Sequence, residues 1–146
     1  MNKERHTLRT AVYLILQKGN QILLLLRKNT GYKDGNYSLP SGHLEGGESA
    51  TDALIRETKE EIGVGLKKEN LEISHVIHRR SGELEYIDLF FTTKNWQGTP
   101  QNSEPEKHGE VKWVSISDLP KNMVPEIRHA IENYQKENYF SEFDWD

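Results

Sequence analysis

Glu57, Glu60 and Glu61 are spaced so that a helix would carry three carboxylates along one side. At about 100° per residue, with Glu57 as origin, Glu61 falls near about 40° and Glu60 near about 300°. Thr51, Leu54, Ile55, Thr58 and Ile62 fall at roughly 60° to 160°, a separate stripe suited to a core. The acids are therefore expected as a ridge beside the packed face, neither scattered nor buried. Glutamates at such spacings are most often a plain solvated face, because like charges there destabilise only slightly. The surroundings favour chemistry instead. Between Gly42 and Val64 lie six acids (Glu45, Glu48, Asp52, Glu57, Glu60, Glu61) and two bases (Arg56, Lys59), a local balance of −4 that equals the charge of the whole chain. A dense acid cluster asks for a counter-charge, and a hard divalent cation bound through oxygens supplies one. The rest of the chain is electrically balanced, which leaves no basic surface for duplex nucleic acid.

The acids need a frame. Ser49–Ile62 is predicted as a helix: Ser49 is a good N-cap with Asp52 three residues on, and Gly63 ends the last turn. Thr10–Gln17 and Gln21–Arg27 read as strands around Lys18-Gly19-Asn20, giving an antiparallel hairpin. The second run is apolar on consecutive positions, the pattern of a strand covered on both faces. Asn29–Asn36 is rich in turn formers, and Tyr37-Ser38-Leu39 is a short extended piece. Leu71–Arg80 and Leu84–Thr93 form another hairpin around Ser81-Gly82-Glu83; Trp96–Gly109 is a long polar loop, and Val111–Ser115 a short strand. Pro125–Glu137 is a helix opened by a permitted proline, with Ile127, Ile131 and Tyr134 at helical spacing. Mixed strands with two helices give an α+β or layered α/β sandwich. A length of 146 residues suits one domain, 1–146. The absence of cysteine excludes disulfides, thiolate metal sites and a cysteine nucleophile. MNKERHTLRT has no apolar stretch of a secretory leader, and Ile22–Leu26 is too short to cross a bilayer, so a cytoplasmic location is expected.

Residues 42–64 read GHLEGGESATDALIRETKEEIGV. Gly42, Glu48, Arg56-Glu57, Glu60-Glu61 and Gly63 stand at the fixed places of the Nudix hydrolase signature, with Val64 at its closing apolar place. The segment resembles that family in all but Thr58, which stands where an aliphatic residue is usual and whose methyl can still pack. The resemblance implies a MutT-like α/β/α sandwich with a mixed sheet, a catalytic loop-helix and a C-terminal helix. It implies hydrolysis of a pyrophosphate bond in a nucleoside diphosphate-linked substrate, with Mg²⁺ as cofactor and Mn²⁺ as substitute. Glu60 and Glu61 would be principal ligands, Glu57 a ligand or the base for water, and the Gly42 carbonyl a further oxygen. Arg56 would pair with Glu48 or Glu57 and hold the loop to the helix, its fork suiting carboxylates better than lysine would. Glu48 would support or act as an outer ligand. Some members add a late-loop carboxylate; of Glu104, Glu106 and Glu110, both Glu106 and Glu110 are plausible.

Arg27, Lys33, Arg79 and Arg80 are candidates to grip a polyphosphate, Arg27 foremost because it ends a strand near the expected cleft. His43 and His78 could reach phosphate, and Tyr32, Tyr37, Tyr86 and Trp113 could stack on a base, although most such residues serve packing. A nucleoside triphosphate, split to monophosphate and pyrophosphate, is the expected substrate. The proline, tyrosine and longer arrays associated with ADP-ribose, dinucleoside polyphosphate and NADH enzymes are missing; positions 79–82 hold Arg-Arg-Ser-Gly. The alternatives are an ADP-ribose or nucleotide-sugar pyrophosphatase and a non-catalytic nucleotide-sensing domain, though the signature has lost none of its acids. The aromatic C-terminal YFSEFDWD is expected to pack on the domain or on a second subunit, as in a homodimer.

Overall fold

Two runs of consecutive apolar residues decide where the core lies. The structure, a computed structural model, describes residues 4–146; the first three positions of MNKERHTLRT, and of the 1–146 domain, lie outside the described residues. Strands β1 (Arg9–Ile15) and β3 (Gln21–Arg27) carry these runs. Successive strand side chains face opposite ways, and here both faces are covered. Ala11, Tyr13, Ile15, Ile22 and Leu24 join one buried cluster, closed by helix α2 (Pro125–Gln135) through Ile127, Ala130 and Ile131. Val12, Leu14, Leu16, Leu23 and Leu25 join the other, closed by helix α1 (Ala50–Ile62) through Ala53, Leu54 and Ile62. The architecture is the expected α/β/α sandwich.

The remaining strands are β2 (Gln17–Lys18), β4 (Tyr37–Ser38), β5 (Ser41–His43), β6 (Leu71–Ser81), β7 (Leu84–Thr93), β8 (His108–Ser115) and β9 (Phe140–Phe143). One mixed sheet runs β5-β1-β7-β6-β9; a second runs β2-β3-β4, with β8 also paired to β3. The expected Thr10–Arg27 hairpin is corrected. β1 lies antiparallel to β5 and parallel to β7, from Arg9 opposite Tyr86 to Ile15 opposite Thr92. Only β2 folds back on β3, and the chain changes sheets at Leu16, whose carbonyl accepts the Leu23 N–H at 3.0 Å. A strand apolar on both faces is better covered inside a wide sheet than in a two-stranded ribbon.

The β6–β7 hairpin turns on Gly82-Glu83, one residue tighter than expected, with Gly82 at φ 63°. The C-terminal segment packs on the domain: β9 lies parallel to β6, Phe143 rests on the α2-side cluster, and the Trp145 indole donates to the His78 carbonyl at 2.9 Å.

Helix α1 has the predicted ends. Ser49 Oγ accepts the Asp52 N–H at 3.2 Å, and Gly63 takes the left-handed conformation at φ 71°. The wheel is corrected at its edges: Thr51 and Ile55 are half-buried, while Glu61 joins the buried set. Thr58 is fully buried, and its hydroxyl has no hydrogen-bond partner among the described residues. Removing that hydroxyl without changing shape should relieve its desolvation cost. Thr58→Val is therefore expected to raise stability by about 1 kcal/mol, read as a higher denaturant midpoint at unchanged slope. A lower midpoint would mean that the hydroxyl has a partner the fold needs.

Candidate active site

β5 presses directly on the acidic side of α1. A Cβ on Gly42 would lie 2.3 Å from Glu57 Cγ and 2.8 Å from its Cδ, so glycine is required for close approach of strand and side chain. One residue earlier, the Ser41 N–H donates to Glu61 Oε1 at 2.9 Å. These contacts correct the expectation of an unburied ridge, since Glu61 is only 9% exposed. Its place on the wheel, next to the apolar stripe, is the cause. Burial pushes the Glu61 carboxyl up to about 8; the charges of Glu57 and Glu104 add to this, and the Ser41 N–H opposes it. Glu57 is also raised, first by burial, against the pull of Arg56.

Arg56 makes both of the expected pairings. Its Nε and Nη2 donate to the two Glu48 oxygens at 3.1 and 2.8 Å, and its Nη1 to Glu57 Oε1 at 2.9 Å. The guanidinium holds Glu48 below the usual carboxylate range and fixes the incoming loop to the helix. Glu60 is the exposed member of the three helix glutamates, its side chain 50% exposed and its carboxylate 3.5 Å from Arg56.

The late loop reaches the site by capping α1. Gln101 N–H donates to the Ile62 carbonyl and Ser103 N–H to the Glu61 carbonyl, each at 3.0 Å. They satisfy groups that a helix C-terminus leaves without intrahelical donors. A side chain on Gly63 would crowd Gln101 Nε2, at 3.2 Å. The next turn closes on the Glu104 carbonyl, which accepts the N–H groups of Lys107 and His108 at 2.9 and 3.0 Å. One ligand atom each from Glu61, Glu104 and His108 then lies within 4.8 Å of the others. The late carboxylate that approaches the helix is Glu104, a correction to Glu106 and Glu110. Glu106 is exposed, and Glu110 is turned to the Tyr37 hydroxyl at 3.2 Å and Lys112 at 3.1 Å. No local pattern marks Glu104; its place follows from the docking of Gln101 and Ser103.

Two hollows join into one cleft through Arg27, Thr30, Ser38, Ser41, Gly42 and His43. The first, about 400 Å³, contains Glu57, Glu61, Lys107 and His108. The second, about 320 Å³, is walled by Tyr13, Tyr32, Tyr86, Arg79 and Glu126. Arg27 lines both, with Nε donating to the Tyr32 carbonyl at 2.6 Å and Nη2 to Thr30 Oγ1 at 3.0 Å.

Other expected phosphate and base contacts are redistributed. Arg79 is no free cation: it is 5% exposed, bonds Asp88 at 2.7 and 3.3 Å, lies 3.6 Å from Glu126 and covers the Tyr86 ring at 4.1 Å. Arg80 is exposed, bonds the Gly82 carbonyl and lines a separate hollow with Lys33. His78 packs on Trp145, Tyr37 is in the core, and Trp113 packs near Trp96. His43, Tyr32 and Tyr86 do line the cleft.

The donor chemistry suits a hard dication: carboxylates, the backbone of Gly42 in the same lining, and a buried Glu61 with a raised pKa that a positive charge would relieve. Among the described residues no helix is long and apolar enough to cross a membrane.

The NUDIX domain model matches residues 5–134. An ADP-ribose pyrophosphatase of Methanocaldococcus jannaschii is 33% identical over 111 residues, 76% of this chain, and the match spans 64% of that protein's length. A Bacillus subtilis protein provisionally named an 8-oxo-dGTP diphosphatase is 30% identical over 125 residues, 86% of this chain and 78% of its own. Among solved structures, the MutT NUDIX hydrolase of Burkholderia pseudomallei superposes with a TM-score of 0.78 at 24% identity, over 87% of this chain and 98% of that one, a likeness of fold. With the family model matched across most of its length and the signature residues Gly42, Glu57 and Glu61 lining the cleft, this chain belongs to the Nudix hydrolase family.

Proposed function

We propose that this chain is a divalent-metal-dependent pyrophosphohydrolase that splits a nucleoside triphosphate into a nucleoside monophosphate and pyrophosphate. The reading treats 1–146 as one domain working in the cytoplasm. One observation carries it: a continuous cleft has carboxylates at one end, an aromatic hollow at the other, and Arg27 between them. The Gly42 carbonyl, Glu57, Glu60 and Glu61 would hold Mg²⁺, with Mn²⁺ as substitute. Such an ion neutralises charge on the phosphates and acidifies bound water. The chain's own groups do the rest. Arg27 donates to a bridging region of the polyphosphate, fixing it in line with the acids. Glu57 accepts the proton of the attacking water, held in position by Arg56. Tyr32, with Tyr86 beneath Arg79, walls the hollow that would take a base.

The test is a panel of ribo- and deoxynucleoside triphosphates with Mg²⁺, followed by ³¹P NMR. The expected products are monophosphate and pyrophosphate; release of orthophosphate, or no turnover across the panel, would refute the proposal. A second reading, ADP-ribose hydrolysis, is favoured by the Methanocaldococcus relative. It predicts AMP and ribose 5-phosphate from ADP-ribose at rates above those for any triphosphate.

The raised Glu61 carboxyl gives the metal a pH dependence. In the metal-free protein its neutral form is favoured, so its contribution to stability is full below the ordinary carboxylate pKa and is lost as pH rises through about 8. A dication must displace that proton below about 8, so affinity should climb with pH and level off above it. Calorimetry in buffers of different ionisation enthalpy should find up to about one proton released per ion near neutrality, falling towards none above about pH 9. An affinity independent of pH would place the ion away from Glu61.

A further inference from the structure

We propose that Glu61, Glu104 and His108 form a cation position with a mixed oxygen–nitrogen donor set, which takes a borderline transition ion such as Mn²⁺, Co²⁺ or Zn²⁺ in preference to Mg²⁺. It rests on the reading that this cleft holds a divalent ion, and adds, through the shared Glu61, a second position beside the one assigned to the Gly42 carbonyl, Glu57 and Glu60. The carboxylates alone would not make a site. The second observation is His108 itself: it is 8% exposed, and its Nδ1 is buried without a hydrogen-bond partner among the described residues. An imidazole nitrogen taken out of water and left unpaired is costly, and a ligand is one way to satisfy it.

The geometry is prepared by the backbone. The Glu104 carbonyl accepts the His108 N–H at 3.0 Å, the His108 carbonyl accepts Asn102 Nδ2 at 2.8 Å, and the Glu104 N–H donates to Asn102 Oδ1 at 3.2 Å. This turn fixes Glu104 and His108 to each other, while Ser103 fixes it to α1 at Glu61. One ligand atom from each side chain already falls within 4.8 Å of the other two. Two cations stand nearby: Arg27, whose guanidinium donates to the Tyr32 carbonyl and Thr30, and Lys107, whose Nζ is 3.7 Å from Glu104 Oε2 and whose side chain is 58% exposed. Oxygen ligands suit Mg²⁺ and Mn²⁺ alike, whereas imidazole suits the later first-row ions. The nitrogen is what gives the position its selectivity.

The experiment uses chelator-stripped full-length protein titrated with Mn²⁺, Zn²⁺ or Mg²⁺ alone. Electron spin-echo modulation of bound Mn²⁺ should show directly coordinated nitrogen in the wild type and in His43→Ala, whose histidine also lines the cleft, and should lose it in His108→Asn. Zn²⁺ affinity should fall by at least about tenfold in His108→Asn, with a much smaller change for Mg²⁺. Should that variant fail to fold, NMR of the wild type is decisive, since Zn²⁺ must shift the His108 ring nitrogens. No nitrogen modulation in the wild type, modulation lost with His43 instead, or unmoved His108 ring signals would overturn the proposal. Nucleotide hydrolysis with Mg²⁺ is read separately. Turnover without nitrogen ligation defeats this site alone, and nitrogen ligation without turnover defeats the hydrolase reading alone.

Discussion

Glu61→Gln should lower Mg²⁺-supported hydrolysis by about 10²–10³-fold while leaving the metal-free protein at least as stable as wild type. The two effects have one origin. Glu61 is nearly enclosed, its carboxyl is pushed up to about 8, and its protein partner is the Ser41 N–H at 2.9 Å. Glutamine keeps the acceptor for that N–H and nearly the same volume, and it cannot ionise. The wild type loses stability through this group as pH rises through about 8, whereas the variant does not. A dication that stabilises the wild type should stabilise the variant much less. Melting curves with and without Mn²⁺ at about pH 6 and about pH 9, run beside turnover, separate the roles. A variant that is both inactive and strongly destabilised without metal would make Glu61 a packing residue.

Gly42→Ala should cost about 1–3 kcal/mol of stability and about 10²-fold in turnover. The new methyl would sit 2.3 Å from Glu57 Cγ, near the root of the side chain where rotation gives little relief. Either β5 moves away from β1, to which Gly42 is paired opposite Val12, or Glu57 leaves its place beside Arg56. Both outcomes separate the Glu57 side chain from Gly42. Gly46→Ala is the control, since it lies in the loop after β5 with open space around it, although its positive φ adds a strain of its own. Turnover of Gly42→Ala equal to wild type would mean that the approach of strand to acid is not needed.

Much of this was legible where local chemistry settles the outcome. Ser49 and Gly63 mark the ends of α1 because capping is decided within one turn. Consecutive apolar residues in Gln21–Arg27 announce a strand covered twice, and clusters on both faces include them. Long-range pairing was less legible. Lys18-Gly19-Asn20 does turn the chain, yet nothing in it tells that β1 will prefer β7, more than seventy residues on. Arg79 reads as an available cation until the two-residue turn at Gly82-Glu83 sets the register. That register puts Tyr86 opposite Arg79, and Asp88 two places beyond, on the same face. Glu104 and His108 carry no periodic signal because their positions depend on a loop capping the end of a distant helix.

The most direct test is anomalous diffraction from crystals grown with Mn²⁺ and a non-hydrolysable nucleoside triphosphate analogue. The prediction is a manganese peak bounded by the Gly42 carbonyl and the carboxylates of Glu57, Glu60 and Glu61, with phosphate oxygens on the ion, Arg27 on the chain and the base in the hollow of Tyr32 and Tyr86. A nucleotide bound elsewhere, or manganese absent from those four groups while the analogue fills the cleft, would contradict it.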